Sequence, residues 1–411
     1  MELMMNPKRI LVLGGGFAGL WAAAGAARKL DELGVGDEEV AITLVNRDPF
    51  HSIRVRNYES DLTPTRVPLR DVLDPIGVTF VEGEVRGFDF AGRQAIIATS
   101  TDEQEHLLSY DRMVLALGSR LVRPALPGLA ECGFDIDTYG GATRLNAHLT
   151  ELAADVGTVL IVGAGLTGIE LAAEMPKRLS SLQRNGNVAA GKFHVILADH
   201  SDHVGSTMGS FAQPVIAEAL ASLGIETRIG VRVVKIDHAG ATLDTGEFIS
   251  ARTVIWCAGM QADPLTRLFP VDRDRWGRLP VDQFMRVDGM PGVFAAGDVA
   301  AALIDGEHAS VMSCQHGRPM GRFAGHNVVA DLLGAPMLPL NIDWYVTVLD
   351  LGPWGALYTE GWDRRVGAVG AAAKETKRVI NCERIYPPRG GDRRAIFEAA
   401  APVVQRPPGG R

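Results

Sequence analysis

Hydrophobic residues in this chain come in short unbroken runs, each ending at a glycine. The run Ile10–Leu13 precedes Gly14 and an alanine-rich segment, and the run Thr158–Val162 precedes Gly163 and a second apolar segment. Unbroken apolar runs of this length are typical of strands buried on both faces of a parallel sheet. Alanine favours helix, so both places predict a strand, a tight turn and a helix.

Both turns carry the spacing Gly-x-Gly-x-x-Gly, at Gly14, Gly16 and Gly19 and again at Gly163, Gly165 and Gly168. The first glycine of such a loop makes the turn, the second admits a pyrophosphate, and the third lets helix and strand pack closely. The helix that follows offers free N–H groups and a positive dipole end to the phosphates. Two copies in the right context predict two dinucleotide sites.

The second strand of each half ends in a polar residue. Val40–Val45 leads to Asn46, Arg47 and Asp48, and Phe193–Ala198 leads to Asp199. A side chain at this point usually binds the adenosine ribose, although Asn46 also suits a turn. An acid at Asp199 favours NADH, because it repels the extra phosphate of NADPH.

Three further segments carry candidate residues for the first dinucleotide site. Gly297 and Asp298 follow a short apolar strand, where Asp298 suits either a ribityl hydroxyl or a helix cap. Arg54 and Arg56 alternate in a segment that either faces a phosphate or anionic flavin, or forms a solvated edge. Another buried strand ends at Gly118.

Composition narrows the class of protein. The chain has 411 residues, 46% of them hydrophobic, and a net charge of -8, which gives no basis for expecting nucleic-acid binding. Its four cysteines show neither a Cys-x-x-Cys pair nor zinc-ligand spacing, so we predict no metal site and a reducing compartment. We find no secretory signal and no apolar run long enough to cross a bilayer, and therefore predict a cytoplasmic protein.

These elements predict an α/β fold with three parts. We assign residues 1–138 and 271–335 to an FAD-binding domain and residues 139–270 to an inserted NAD(H)-binding domain. Residues 336–411 are assigned to a small C-terminal domain, whose tail from residue 389 is rich in Pro, Gly and Arg and is expected to be partly disordered. We interpret residues 182–192 as an inserted loop.

The two glycine loops, Ala116–Gly118, Cys257–Gly259 and Gly297–Asp298 together resemble the two-dinucleotide-binding-domain flavoproteins with glutathione-reductase-like architecture. Within them the chain is most similar to type II NADH dehydrogenases (NADH:quinone oxidoreductases), well over residues 8–335 and weakly beyond. The resemblance implies FAD and NADH as cofactors. The resulting cofactor-binding candidates are Gly14, Gly16, Phe17, Ala18, Gly19, Asn46, Arg47, Arg54, Val85 (through its backbone), Gly118, Gly297 and Asp298 for FAD, and Gly163, Gly165, Gly168, Asp199 and Gly259 for NADH.

The resemblance also suggests where the chemistry occurs. Glu170 matches a glutamate that the family places near nicotinamide and flavin, although a carboxylate at a helix start is also stabilised by the dipole. Type II enzymes carry Ala-Gln-x-Ala-x-Gln at the quinone site, and here Gln315 keeps the first glutamine while Pro319 replaces the second. Gln315 and His316 are candidates for stabilising negative charge at the pyrimidine end of the flavin.

We therefore predict an FAD-dependent NADH dehydrogenase with a quinone or similar small acceptor. Three alternatives remain open: a reductase or oxidase of a soluble acceptor, a sulfide:quinone oxidoreductase-like enzyme using Cys132 and Cys314, and a flavin redox sensor. Peripheral contact with the cytoplasmic membrane face and a homodimer are further expectations that the sequence does not decide.

Overall fold

The computed structural model describes residues 6–99, 104–152, 157–185 and 193–407. The helices are α1 Phe17–Leu33, α2 Arg70–Leu73, α3 Leu129–Cys132, α4 Tyr139–Glu151, α5 Leu166–Asn185, α6 Gln213–Ser222, α7 Cys314–Leu333, α8 Gly370–Val379 and α9 Arg393–Ala399. The interpretation of residues 182–192 as a loop is wrong for its first part, because α5 continues to Asn185. Residues 186–192 lie outside the described ranges.

The strands, given in chain order, alternate with these helices in both glycine-loop halves. They are β1 Lys8–Leu13, β2 Val40–Asn46, β3 Phe50–Ser52, β4 Arg66–Pro68, β5 Thr79–Asp89, β6 Gln94–Thr99, β7 Glu105–Ser109, β8 Arg112–Leu115, β9 Ser119–Leu121, β10 Gly133–Phe134, β11 Thr158–Val162, β12 His194–Ala198, β13 Ile225–Arg228, β14 Val233–Asp237, β15 Gly240–Leu243, β16 Phe248–Ser250, β17 Thr253–Trp256, β18 Met260–Ala262, β19 Leu279–Val281, β20 Val293–Ala295, β21 Ala300–Ala302, β22 Val346–Asp350, β23 Ala356–Glu360 and β24 Arg365–Val369.

The first sheet has the strand order β20-β8-β1-β2-β5-β6-β7. Its strands run parallel from β20 to β5, and β6 and β7 are antiparallel additions. Because strand β1 lies at the centre, both of its faces are covered, and Ile10–Leu13 are almost fully buried. The carboxyl end of β1 therefore opens directly onto the first glycine loop, at the edge where parallel sheets bind ligands.

The second sheet repeats this plan with the order β10-β17-β11-β12-β13, and all of its pairings are parallel. Its central strand β11 leads into the second glycine loop. The chain crosses between the halves through β9 and β18, which pair antiparallel, and Arg120 forms an ion pair with Asp263 across this connection at 2.6 Å. The two cofactor sites are thus linked by a paired two-strand connection.

The C-terminal part is an antiparallel sheet, β22-β23-β24, with α8 packed on it. It lies against helix α5, where Gly352 approaches so closely that an added Cβ would come within 2.2 Å of the Ala173 carbonyl oxygen. Helix α9 lies inside the tail that was expected to be partly disordered, and residues 408–411 lie outside the described ranges. In the described ranges, no helix combines the length and apolarity needed to span a membrane.

Candidate active site

The first glycine loop is shaped to admit a phosphate. Gly14 has a φ of 107°, and a Cβ there would lie 2.3 Å from the Ala116 carbonyl oxygen. A Cβ on Gly19 would lie 1.7 Å from the Gly14 carbonyl oxygen, so the start of helix α1 packs directly on the turn. Gly16 has open space where its Cβ would be. The structure therefore fits a pyrophosphate at Gly16, next to the first N–H groups of α1.

The second loop has the same geometry. Gly163 has a φ of 108°, and a Cβ on Gly168 would lie 1.8 Å from the Gly163 carbonyl oxygen. Gly165, like Gly16, faces open space. The residues present thus fit a second dinucleotide phosphate at the start of α5.

The residues at the ends of β2 and β12 hold these loops through their side chains. The Gly15 N–H donates to Asn46 Oδ1 at 2.9 Å, and the Ala164 N–H donates to Asp199 Oδ2 at 2.6 Å. Asn46 Nδ2 also donates to the Asp48 carbonyl oxygen at 2.8 Å, which is the kind of hydrogen bond expected if Asn46 is a turn residue. The ribose role of Asn46 and Asp199 stays a prediction, and Arg47 is exposed.

Burial raises the pKa of Asp199, but hydrogen bonds from the Ala164 and Ser201 N–H groups outweigh it and hold the pKa below its ordinary value. The carboxylate is consequently negative at neutral pH. This charge lies beside the second glycine loop, and its predicted role in disfavouring the additional phosphate of NADPH stays a prediction.

Asp298 is joined to Arg54 through Ser119. Ser119 Oγ donates to Asp298 Oδ2 at 2.6 Å, and Arg54 donates to the Ser119 carbonyl oxygen at 3.0 Å and to Asp137. Burial raises the pKa of Asp298. Arg54 is therefore committed to an internal network at the junction of β9 with the first sheet, and is not a solvated edge residue. Arg56 is instead paired with Glu59 and Tyr386.

The remaining predicted binding residues frame the first loop and the crossover. Gly118, Gly259 and Gly297 have positive φ values of 74°, 80° and 75°, so each marks a turn at a strand end. The side chain of Val85 is buried in the first core, which leaves only its backbone for a ligand. Phe17 and Ala18 form the first turn of α1. None of the structure's contacts tests the ligand roles of these residues.

A buried histidine beside the first loop was missed by sequence reasoning. His51 Nδ1 lies 2.9 Å from the Gly15 carbonyl oxygen, and the edge of its ring meets the Phe17 ring at a centroid distance of 5.0 Å. Burial lowers its pKa to about 4, so the ring is neutral at pH 7. The apolar residues around it in sequence gave no signal that it would contact a loop more than thirty residues earlier.

Glu170 lies in α5, just after the second glycine loop, and is 6% exposed. Its Oε1 accepts hydrogen bonds from Lys377 Nζ at 2.7 Å and from the Asp350 N–H at 3.0 Å. Burial raises the pKa of Glu170, and the lysine ammonium opposes that rise. The carboxylate thus pairs with a specific lysine of α8. A carboxylate that only interacted with the dipole at the start of α5 would not need such a partner.

The surroundings of this pair come from all three parts of the chain. Tyr58 donates to Asp350 Oδ2 at 3.1 Å, and Lys374 bonds to Asp350 and lies 3.5 Å from Glu174. Sequence reasoning missed Lys374 and Lys377. Their spacing of three residues on an amphipathic helix was the available signal, because it puts both on one face.

Gln315 and His316 follow the N-cap Ser313 at the start of α7 but have different surroundings. Gln315 lines a cavity, and its Nε2 is buried with no partner among the described residues. His316 is 0% exposed, its Nδ1 accepts from the Val311 N–H at 2.8 Å, and burial lowers its pKa to about 4. His316 therefore has a structural contact, and its catalytic role stays a prediction.

The cysteines proposed for sulfide chemistry are apart. Cys132 packs on the core of the second half and lies 3.7 Å from His238 Nδ1, whereas Cys314 packs beside Ile53 and Ile385. Both thiols are free. This arrangement gives no support to a sulfur-handling pair. Cys257 is half-buried and packs on the second core, and its apolar surroundings raise its pKa to about 12, which fits a structural thiol.

Residues 8–321 match the family described as pyridine nucleotide-disulphide oxidoreductase. The chain is 56% identical to an NADH dehydrogenase-like protein of Mycobacterium tuberculosis over 405 residues, which are 97% of this chain and 100% of that protein. It is 28% identical to the demethylphylloquinone reductase of Synechocystis, covering 85% and 86%. It is 23% identical to a type II NADH:quinone oxidoreductase of Staphylococcus saprophyticus, covering 85% and 89%.

Solved structures share the fold at low identity. The sulfide:quinone oxidoreductase of Aquifex aeolicus matches with a TM-score of 0.76 at 17% identity, covering 95% of this chain and 94% of that one. NDH2 of Plasmodium falciparum in complex with NADH matches with a TM-score of 0.74 at 12% identity, covering 96% and 97%. These likenesses confirm the α/β fold with two Rossmann-like domains.

Fold and site together define a class, the oxidoreductases that bind two dinucleotides on paired Rossmann-like domains. The chain belongs to the pyridine nucleotide-disulphide oxidoreductase family. The predictions of an NADH dehydrogenase enzyme and of FAD and NADH as cofactors are confirmed at this level.

Proposed function

We propose that this enzyme oxidises NADH and reduces a quinone. The observation that carries the proposal is the position of helix α7. A Cβ on Gly317, in its first turn, would lie 3.8 Å from both Gly297 Cα and Phe17 Cβ, at the FAD cradle. On the same turn, Gln315 lines a cavity between α7, the residues around β22 and the C-terminal segment 404–407. An acceptor in that cavity would therefore lie on the opposite side of the first turn of α7 from the residues predicted to bind FAD.

The two glycine loops bind the pyrophosphates and thereby fix both dinucleotides relative to the sheet edges. Bound FAD supplies the chemistry of accepting a hydride from NADH and passing two electrons to the acceptor. The negative charge of Asp199 selects the nucleotide without the additional phosphate. Lys377 holds the Glu170 carboxylate at the start of α5, on the nicotinamide side.

At the acceptor, Gln315 is the residue suited to the reaction. Its amide Nε2 carries donor hydrogens with no partner among the described residues. A quinone oxygen gains negative charge as electrons arrive, and a positioned donor stabilises that charge. The demethylphylloquinone reductase and the type II NADH:quinone oxidoreductase similar to this chain support this class of acceptor.

The test is anaerobic mixing of the purified yellow protein with NADH, followed by menadione, with NADPH run alongside. We expect rapid bleaching by NADH and rapid reoxidation by menadione. In Gln315→Leu, reoxidation should slow roughly tenfold while bleaching is unchanged, because one hydrogen bond to a developing charge is lost. Equal rates of menadione reduction in wild type and Gln315→Leu contradict the role of Gln315. Absence of reoxidation by menadione contradicts a quinone acceptor.

A location on the cytoplasmic membrane face fits a quinone acceptor, since quinones partition into lipid, and it belongs to the same proposal. The homodimer and the absence of nucleic-acid partners stay predictions.

A further inference from the structure

The cavity that Gln315 lines lies between the start of α7, the residues around β22, the chain after α8 and the C-terminal segment 404–407. It is open to solvent, and its empty space including that opening is about 590 Å³. Trp344, Val346, Ile380 and Ile385 supply an apolar wall.

Two arginines of α7, Arg318 and Arg322, are one helical turn apart and both line this cavity. Arg322 is only 1% exposed. Within the described ranges neither guanidinium forms an ion pair with an acid, and no acidic side chain lines the cavity. A buried charge is ordinarily paired, because removing it from water is costly. Arg322 is buried and Arg318 is half-buried, so two neighbouring like charges without a counterion depart from that rule.

The protein offers these arginines little compensation of its own. The Trp21 ring lies under both, with its centroid 4.7 Å from Arg322 Cζ and 5.3 Å from Arg318 Cζ. Arg322 also donates to the Val403 carbonyl oxygen at a long 3.4 Å. Burial lowers the pKa of Arg318 to about 10 and that of Arg322 to about 9, so both remain charged at neutral pH.

The unsatisfied groups around the cavity are all of one kind. Among the described lining residues, the buried polar side-chain atoms without a partner are Gln315 Nε2, Arg318 Nε, Arg322 Nε and Nη2, and Trp344 Nε1. Each of these atoms carries a hydrogen and donates. A ligand that satisfies them must therefore offer acceptors, and acceptors with negative charge suit two arginines best.

A third arginine adds to the positive potential. Arg384 lines the cavity and donates to the Arg406 carbonyl oxygen at 2.8 Å, which holds the C-terminal segment in place. Arg406 itself is paired with Asp343 at 3.1 Å. The cavity thus combines a flat apolar wall with a net positive charge.

We propose that this cavity binds an electron acceptor whose flat ring body carries an anionic group, with the anion held by Arg318 and Arg322 and the ring near Gln315. This inference rests on the proposed quinone reductase function and sharpens its substrate class: neutral quinones such as menadione are reduced but leave both charges unpaired, whereas a carboxylated or sulfonated quinone also pairs with them and is the preferred acceptor. The anion is recognised by the two planar guanidinium groups, which match its oxygens in pairs.

The test compares 1,2-naphthoquinone-4-sulfonate with neutral 1,2-naphthoquinone as acceptors for the FAD-loaded enzyme at saturating NADH. In Arg318→Gln and in Arg322→Gln, kcat/KM for the sulfonate should fall roughly tenfold or more, since a charge-assisted hydrogen bond is lost. For the neutral quinone it should change by about twofold or less. Arg322→Lys, which keeps the charge but not the planar pair of N–H groups, should lose less than Arg322→Gln. Arg394→Gln is the control, because Arg394 is 88% exposed on α9.

Equal losses for both acceptors, or no loss for the sulfonate, overturn the proposal. If Arg322→Gln fails to retain flavin, Arg318→Gln and Arg322→Lys decide. Lipid phosphate offers the same anionic chemistry, so phosphatidylglycerol vesicles are tested against phosphatidylcholine vesicles. The proposal is overturned if the protein binds only the phosphatidylglycerol vesicles, if this binding is lost in Arg318→Gln and in Arg322→Gln, and if neither variant changes kcat/KM for the sulfonate. The cavity is then assigned to a lipid headgroup.

A redox-inert anion separates this inference from the proposed function. Naphthalene-2-sulfonate should bind the wild-type enzyme in calorimetry, and binding should weaken roughly tenfold in Arg318→Gln. If that binding is seen but no quinone is reduced, the proposed function fails and the anion site stands without an acceptor role. If quinones are reduced and naphthalene-2-sulfonate does not bind, the function stands and this inference fails.

Discussion

The two glycine loops are almost the same local structure in different surroundings. Gly14 and Gly163 differ in φ by one degree. A Cβ added to the third glycine would lie 1.7 Å from the carbonyl oxygen of the first glycine in one loop and 1.8 Å from it in the other. In both, a side chain from the next strand accepts a hydrogen bond from a loop N–H. That side chain is an amide in the first loop and a carboxylate in the second.

The helices that follow the loops are covered in different ways. Helix α1 packs against α7 through close glycine contacts, such as Gly321, whose Cβ would lie 2.2 Å from the Ala18 carbonyl oxygen. Helix α5 instead carries Glu170 and is covered by the C-terminal sheet and α8. The two loops thus share a geometry that fits a phosphate, while the elements that cover each helix give it different chemical surroundings.

The largest expected effect comes from removing Lys377, whose ammonium group on α8 pairs with Glu170 on α5. Lys377→Met leaves the Glu170 carboxylate buried beside the Asp350 N–H alone, and breaking a buried ion pair costs about 3–5 kcal/mol. Urea unfolding at pH 7 measures the loss. Arg378→Met, on the half-exposed neighbouring position, should change the free energy of unfolding by about 0.5 kcal/mol or less. Similar losses in both variants would show that the ion pair is not what anchors α8.

A smaller effect tests the first half through pH. Burial lowers the pKa of His51 to about 4, whereas an unfolded histidine titrates near 6.5. The unfolded state therefore binds more protons between these values, and stability falls as the pH drops through that window. At pH 5 the loss relative to pH 7 is about 2 kcal/mol for this residue.

His51→Gln removes that contribution, so its stability should depend on pH less steeply than that of the wild type. Urea unfolding at pH 7 and pH 5 gives the difference, and exposed His238→Gln is the control. His316, whose burial also lowers its pKa to about 4, should behave in the same way. An unchanged difference between pH 7 and pH 5 in His51→Gln would mean that the pKa of the buried ring is the same in the folded and the unfolded protein.

These contrasts also show why the sequence revealed some features and not others. The glycine loops were predicted because spacing, strand and helix are all local. The ion pair between Glu170 and Lys377 was not, because it joins residues 207 positions apart in different domains. Arg318 and Arg322 were overlooked for another reason: an arginine on a helix is normally solvated, and only the tertiary packing of α1 and the C-terminal segment buries Arg322 and half-buries Arg318.

The glycine that faces open space in each loop gives a matched pair of variants. Gly16→Ala and Gly165→Ala meet no protein atom within 4 Å, so both should fold normally. Each added methyl group occupies the phosphate approach, and the lost hydrogen bonds should weaken the corresponding dinucleotide roughly tenfold. Gly16→Ala should lose FAD on dialysis, followed by absorbance. Gly165→Ala should keep FAD and raise the KM for NADH. A variant that weakens the other cofactor would reverse the assignment of the two loops.

The smallest expected effect concerns the polar side chain that accepts a hydrogen bond from each loop, Asn46 in the first half and Asp199 in the second. Asp199→Asn gives the second loop the amide of the first, and its oxygen can still accept from the Ala164 N–H. The negative charge expected to repel the NADPH phosphate is lost, and we take a like-charge contact at this partly buried position, near the opening of the loop, to be worth about 1 kcal/mol. The ratio of kcat/KM for NADPH to that for NADH should therefore rise about fivefold. Asp202→Asn, on a side chain 89% exposed, is the control and should leave the ratio unchanged. If the ratio stays the same in Asp199→Asn as well, nucleotide choice depends on residues other than this carboxylate, and the contrast between the amide and the carboxylate does not decide which nucleotide the second loop takes.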